Sequence, residues 1–303
     1  MLDVRRLRLL CDLSRLGTIA AVAAAHTYTP SAVSQQLSVL EREAGVPLLE
    51  RTGRRVTLTA GGRILVRHGA AVLAALEQAD AALAAVAAGL TGPLRIGAFP
   101  TAVRALLPAT LVALAGAHPG LELTVSELDP VDVPSALRDG RLDVGLVNDY
   151  DLVPAAPDPA LETVPLLDET MFLAVPESFG RGAEVGLAGL RDAAWILASP
   201  GTLCHTVTMQ VCRGAGFTPR GRHRADDFAT VLALVAAGLG VSIVPRLAVA
   251  GPPWRAEVDL RAAGDGVRLA PLPTRRRTHV AYRRGAATHP AVAAFVTAIR
   301  AAV

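Results

Sequence analysis

The chain has 303 residues, 51% of them hydrophobic and 19% charged, enough for two or three domains with cores of their own and too apolar for a largely disordered polypeptide. A formal charge of +3 does not by itself demand nucleic acid, so where the positive charge sits matters more than its sum. All 30 basic residues are arginine; with the abundance of Ala, Gly and Pro this reads as coding bias from a GC-rich genome, not as phosphate binding. Cys11, Cys204 and Cys212 leave at least one thiol unpaired in any disulfide scheme and lack the CxxC spacing of a zinc site, which points to a reducing cytoplasm. "RRLRLL" followed by "AAVAAAH" imitates a secretion signal, but Asp12, Ser14 and Arg15 interrupt its apolar core, and no later run is long enough to span a membrane.

Residues 1–59 read as short helices closed by a hairpin. Val4, Leu7, Leu10 and Cys11 recur at helical spacing up to Gly17, and "TIAAVAAAH" makes a second, alanine-rich helix whose small side chains permit close packing. A third helix runs from Pro30 to about Ala44 and stops at Gly45; "PLLERTGRRVTLT" then holds two extended runs around a Gly-centred turn. This is the pattern of a helix-turn-helix with a wing. From Ala60 to Leu90 one long helix is expected, with Leu65, Val72, Leu76, Ala79, Leu83, Val86 and Leu90 forming an a/d seam that calls for a partner helix. After "TGP" at 91–93, strand-like runs ("LRIGAF", "LELTVSEL", "LDVGLV", "MFLAVP", "AWILAS", "VSIVP", "THVAYRR") alternate with apolar helical stretches such as 102–116 and 228–238. Such alternation gives an open α/β sheet with ligands beyond the carboxyl ends of its strands.

The third helix carries the most specific chemistry. Thr29 can accept a hydrogen bond from a free first-turn amide, and Pro30 occupies N1 without sacrificing a donor. Val33, Leu37, Leu40 and Ala44 form the buried stripe; Ser31, Ser34, Gln35, Ser38 and Arg42 share the opposite face, with Gln36 on its flank. A helix presented end-on to the major groove brings such side chains to base edges, Gln pairing with adenine and Arg42 reaching the backbone. Any surface helix is polar outside, but the short helix before this one and the wing arginines after it favour the DNA reading. Arg51, Arg54 and Arg55 at the wing suit minor-groove or phosphate contact.

"LRLLCDL", "GTIAAVAAA", "TPSAVSQQLSVLEREAGVPLLERTGRRVTLTAGG" and the seam helix resemble the N-terminal region of LysR-type transcriptional regulators, and the α/β remainder fits their effector domain. One departure is Gln35, where members commonly carry Arg, so base preference transfers less well than position. The resemblance implies an α+β multidomain chain. Its parts are a winged helix-turn-helix DNA-binding domain at 1–59, a linker and dimerisation helix at 60–91, and an effector-binding domain at 92–303. The last holds two Rossmann-like subdomains of periplasmic-binding-protein type, subdomain I at about 92–163 and 269–303 and subdomain II at about 164–268. It also implies promoter DNA and a small effector as partners, dimerisation through the linker helix, and a tetramer built from two dimers.

The segments matching the family's effector cleft are "AFPTA", "VND", "SPGTLCH" and "ADDF", which makes Phe99, Thr101, Ala102, Asn148, Asp149, Ser199, Thr202, Cys204, Asp227 and Phe228 the candidate ligand residues. Two of these segments follow strands and open helices. Free amides at Thr101 and at Gly201 to Thr202 would therefore favour an anionic group such as a carboxylate, while Asp149 and Asp227 could receive a donor. The plain alternative is that Thr101, Thr202 and Asp227 only cap their own helices. Cys204, His205 and Asp226 suggest a cysteine nucleophile, but neighbours on a helix diverge by about 100°, so His205 is poorly placed to deprotonate Cys204 and no catalysis is expected. Cys11 and Cys212 read as core residues. His26, His68, His118, His223, His279 and His289 are scattered, so neither metal nor cofactor is inferred. A stand-alone solute-binding protein is opposed by the fused winged module and the interrupted leader, a cysteine-dependent enzyme by the geometry around Cys204.

Overall fold

Three helices, α1 (Val4–Leu16), α2 (Ile19–Ala25) and α3 (Pro30–Ala44), build the head, each started by a side chain that accepts a first-turn amide: Asp3, Thr18 and Thr29. This computed structural model describes residues 1–52, 55–86, 90–179, 186–249 and 266–303. Gly17 and Gly45 end α1 and α3 at φ of +74° and +70°, a conformation that costs glycine little. Leu10, Val22, Val33, Leu37 and Leu40 meet in one buried cluster, so the stripe predicted for α3 is the floor of the head. The wing strands β1 (Leu49–Thr52) and β2 (Arg55–Leu58) pair antiparallel, and Glu41 of α3 accepts from the amides of Leu48 and Leu49 at 2.9 and 3.0 Å, fixing the wing beside the helix.

The linker is a single 27-residue helix, α4 (Ala60–Val86). Gly69 lets it lie directly on α1: a Cβ there would stand 2.8 Å from Leu7. Farther along, a Cβ at Gly285, whose φ is +95°, would meet the Ala74 carbonyl at 2.5 Å, and Arg283 pairs with Glu77 at 2.9 Å, so the same helix is also seated on the C-terminal domain.

That domain runs β3 (Thr91–Ala98), α5 (Pro100–Ala105), α6 (Leu107–Ala117), β4 (Gly120–Glu127), α7 (Val133–Arg138), β5 (Val144–Tyr150), β6 (Leu161–Pro176), β7 (Ala194–Leu197), α8 (Leu203–Gly214), β8 (Arg220–Arg224), α9 (Phe228–Ala236), β9 (Ser242–Pro245), α10 (Arg246–Val249), β10 (Val267–Arg283) and α11 (Pro290–Ala301). Six strands form one sheet in the order β4-β3-β5-β10-β6-β9, and β7 and β8 form a second, parallel pair. Both are flanked by helices, as the α/β alternation predicts.

The runs "MFLAVP" and "THVAYRR" are the ends of strands of 16 and 17 residues, β6 and β10, which pair along nearly their whole length. Prolines and the arginine run 275–277 conceal β10 in the sequence; its register shifts between Pro271 and Arg275, where missing ladder donors are tolerated. The strand β8, "RGRHR", has no apolar alternation to announce it and is defined by its pairing with β7. Each long strand enters both cores. Val280 and Tyr282 of β10 lie with Ile96, Leu107 and Phe295, whereas Val267 and Leu269 lie with Phe172, Val231 and Val244. The two halves of the domain are thus joined by continuous β structure, with a site between them.

Candidate functional site

On α3, Ser31, Gln35, Ser38 and Arg42 are exposed and Ser34 is half-buried, while Val33, Leu37 and Leu40 are covered. Thr29 caps the helix through Ala32 N at 3.2 Å. Thr27, at φ +56°, turns the chain between α2 and α3. Gln36 differs from its neighbours: its Oε1 accepts from Arg6 Nε at 2.8 Å, and Arg6 also pairs with Glu43, so its amide oxygen is engaged inside the head. Arg54 lies outside the described residues, as do the side chains of Arg51 and Arg55.

The a/d positions of α4 divide in two. Leu65 packs on the head core, whereas Val72, Leu76 and Leu83 are 44%, 45% and 71% exposed and Ala79 is exposed with them, an apolar strip without cover in a single chain. The Val86 side chain is outside the described residues.

The inter-subdomain site centres on Arg276, the middle arginine of the run 275–277. In the sheet Arg276 stands opposite Tyr150 on one side and Glu169 on the other, and the three side chains share a face. Arg276 and Glu169 are each about 1% exposed and joined by two bonds of 2.7 and 2.6 Å; Glu169 also accepts from Leu247 N at 2.6 Å. The guanidinium lies 4.9 Å from the centre of the Phe99 ring and 3.5 Å from Thr101 Oγ1. From the far side α8 brings in Cys204, whose Sγ is 3.7 Å from the Tyr150 hydroxyl. Next in the same face, Thr278 donates to Asn148 at 2.9 Å.

Burial pushes the Cys204 thiol above its usual range; Arg276 and Tyr150 act against this, and the carboxylates of Asp129 and Asp226 add to it. Asp129 is itself pushed up, by desolvation first and then by Asp132 and Asp226, net of a bond from Val131 N. Burial drives the Tyr150 hydroxyl well above 10, so it is a donor at neutral pH. The centre is therefore a neutral thiol beside a compensated cation, with acidic groups at its edge.

Thr202 accepts from His205 N and Asp227 from Thr230 N, so both start their own helices. Asp227 also reaches Arg104 across the cleft at 3.7 Å. Thr101 caps nothing; the N-cap of α5 is Phe99, and Thr101 is turned inward to Arg276. Pleating separates Asn148 from Asp149, and the latter faces Arg277 and His279 on the opposite side of the sheet. Asp149 is thus already paired rather than waiting for a ligand donor. Ser199 is bound through its amide and hydroxyl to Asp226, both at 2.7 Å, and Phe99, Ala102 and Phe228 are core residues. His205 directs Nδ1 to the Ala198 carbonyl at 2.9 Å, so neither it nor Asp226 is aligned as a base for Cys204. Cys212 is buried; Cys11, expected in the core, is only partly buried and lies 3.8 Å from the Val66 carbonyl. Beside the centre an open recess of about 780 Å3 takes in Asn148, Asp149, Leu203 and His279.

Arg276, Glu169 and Tyr150 escaped the sequence reading. The available signal was strand alternation: in "RRR" a strand must send the middle arginine to the face opposite its neighbours, and a lone arginine on an inner face requires a carboxylate.

Among the described residues, none forms a group of metal-ligand character and no helix is long and apolar enough to cross a membrane. The family described as "Bacterial regulatory helix-turn-helix protein, lysR family" matches residues 4–63, and "LysR substrate binding domain" matches residues 87–303. The chain is 34% identical to a probable hydrogen peroxide-inducible genes activator of Mycobacterium avium, over 85% of this chain and 80% of that one. A protein of the same description from Streptomyces viridosporus is 32% identical, over 99% and 97%. Among solved structures, a mutant of Corynebacterium glutamicum OxyR superposes with a TM-score of 0.55 at 27% identity, covering 100% of this chain and 92% of that one.

Proposed function

The chain belongs to the LysR family of bacterial transcriptional regulators, and from that premise we propose that Cys204 adjusts its promoter binding by reading a small oxidant of the peroxide class. The reading rests on one observation: the Cys204 thiol sits between the subdomains, 3.7 Å from a Tyr150 hydroxyl that can donate and within the field of Arg276. It accords with the similarity to proteins named as peroxide-inducible activators. The thiolate attacks one peroxide oxygen, the O–O bond breaks, and the leaving oxygen takes a proton to depart as water; sulfur is oxidised to sulfenic acid as peroxide is reduced. Since burial raises the thiol pKa, the reaction accelerates with pH. Cys212 lies eight residues along the same helix, about 12 Å away at about 1.5 Å per residue, beyond disulfide reach unless α8 unwinds.

DNA is met by residues 1–59 through Thr29, Ser31, Ser34, Gln35, Ser38 and Arg42, with Gln36 braced against Arg6 at their flank and Arg51, Arg54 and Arg55 on the flanking backbone. Residues 60–91 dimerise along Val72, Leu76, Ala79, Leu83 and Val86, with Leu65 turned to the head core of its own chain, and two dimers form a tetramer. Oxidation then shifts the population between settings of the subdomains in 92–303, and with it the spacing of the heads. The setting is the bacterial cytoplasm.

Footprinting on the chain's own upstream region is the test. Hydrogen peroxide should change the pattern for the wild type and not for Cys204→Ser; an unchanged response in that variant overturns the oxidant reading. Light scattering should show Leu76→Glu falling to monomers, and a monomeric wild type would remove the seam. A carboxylate effector is the second reading, favoured by the first-turn amide at Thr101 and opposed by the pairing of Arg276 with Glu169 and by Asp129 and Asp226 at the edge of the cleft. Thermal-shift screening of the full chain against amino acids and aromatic or aliphatic carboxylates tests it, since a ligand of the folded state must stabilise it.

A further inference from the structure

A second cavity, of about 340 Å3, lies outside the inter-subdomain site, where α1, α4 and the C-terminal domain meet. Its apolar floor is Cys11, Val66, Ala70 and Leu73, and its rim is charged. The three carboxylates that line it are all claimed: Asp12 by Arg15 at 3.0 Å and by His26, Glu77 by Arg283, and Asp158 by Arg138. Five arginines line the same space, Arg8, Arg15, Arg138, Arg283 and Arg284; Arg283 also faces Asp143 at 3.6 Å and Arg284 pairs with Glu162 at 3.7 Å, outside the lining, so the surplus positive charge is that of Arg8. Among the described residues no carboxylate pairs with Arg8, which stands exposed on α1 near Cys11. Arg138 is nearly buried, and its Nε has no hydrogen-bond partner. The walls are held close by Gly69 against the Leu7 side chain and by Gly285 against the Ala74 carbonyl, approaches that leave no room for a Cβ at either glycine.

A cavity of this size suits a small molecule, its floor asks for an apolar body, and its surplus positive charge asks for one anionic group. We propose that this junction is a second ligand site, for an amphipathic carboxylate with a short acyl chain or ring, whose carboxylate meets Arg8 on the rim and whose body covers Val66, Ala70 and Leu73. Because head, linker helix and effector domain all contribute walls, its occupant stabilises this setting of the head over others. The site is independent of Cys204.

Isothermal titration of the full-length protein with sodium octanoate tests it. Saturable binding of one octanoate per chain is expected, weakened at least five-fold by Arg8→Gln, lost in Ala70→Phe, which fills the floor, and unchanged in Cys204→Ser. Arg8 is exposed, so its variant keeps the test valid if Ala70→Phe does not fold. Octanoate should also slow alkylation of Cys11 by N-ethylmaleimide, followed by peptide mass spectrometry. Absence of saturable binding, or wild-type affinity in Arg8→Gln, overturns the site. Equally tight binding of 1-octanol overturns the anionic part of the assignment.

Discussion

The α3 helix and the Cys204 centre both gather polar side chains beside helix starts, and they are built on opposite plans. On α3 the polar face comes from one 15-residue segment, and Ser31, Gln35, Ser38 and Arg42 stay exposed over a leucine floor. At the cleft, Thr101, Tyr150, Glu169, Cys204 and Arg276 arrive from separate elements and satisfy one another. A surface that meets a large polyanion can leave its donors to water until the partner comes. An interior site cannot, because an unpaired buried charge is too costly to keep.

Breaking the interior pairing should have the largest effect. Arg276→Leu strands the Glu169 carboxylate and is expected to cost about 3–5 kcal/mol of stability in denaturant unfolding, whereas Arg276→Met combined with Glu169→Leu restores most of it. A loss below about 1 kcal/mol for the single variant would remove the contrast. On the open surface the order reverses, with function lost and stability kept: Gln35→Ala should weaken promoter binding about 5- to 150-fold, corresponding to roughly 1–3 kcal/mol, with an unchanged melting temperature. Arg54→Ala should weaken binding alike on all sequences and lower the salt slope by about one. Thr29→Ala removes the cap of α3 and should cost about 1 kcal/mol, read by thermal unfolding.

The smallest effect concerns Asp143, which immediately precedes β5 and is bonded to Arg95 of β3. Desolvation pushes its carboxyl up, but the Arg95 hydrogen bonds and the Arg283 charge outweigh it and hold the pKa below the usual value. Such a group adds stability that is present above its unfolded pKa, near 4, and is lost as pH falls through the folded value. Asp143→Asn should therefore flatten the acid limb of a melting-temperature profile and leave promoter binding unaltered.

Much of the head was legible because its signals are local. Thr29 with Pro30, the leucines of α3 and Gly45 each act within a turn or two, and the helix they define runs from Pro30 to Ala44. The cleft was legible only in outline. Cys204 and Thr101 could be named from their segments, but nothing nearby in sequence says that Asp149 is held by Arg277 or that Thr101 faces Arg276. Gln36 shows the same limit on a smaller scale, since its tie to Arg6 crosses 30 residues.

By itself the sequence determined the family, the helix starts and stops, the polar and apolar faces of α3 and α4, and the alternation that builds an α/β domain, because these depend on periodicity and on side chains bonding to nearby backbone. Tertiary structure alone decided that β6 and β10 run through both cores, that Arg276 stands between Tyr150 and Glu169, and that three parts of the chain enclose a cavity at Arg8. The reason is register: which residues stand opposite one another across a sheet is settled by long-range packing, and a shift of one residue would turn every side chain to the other face.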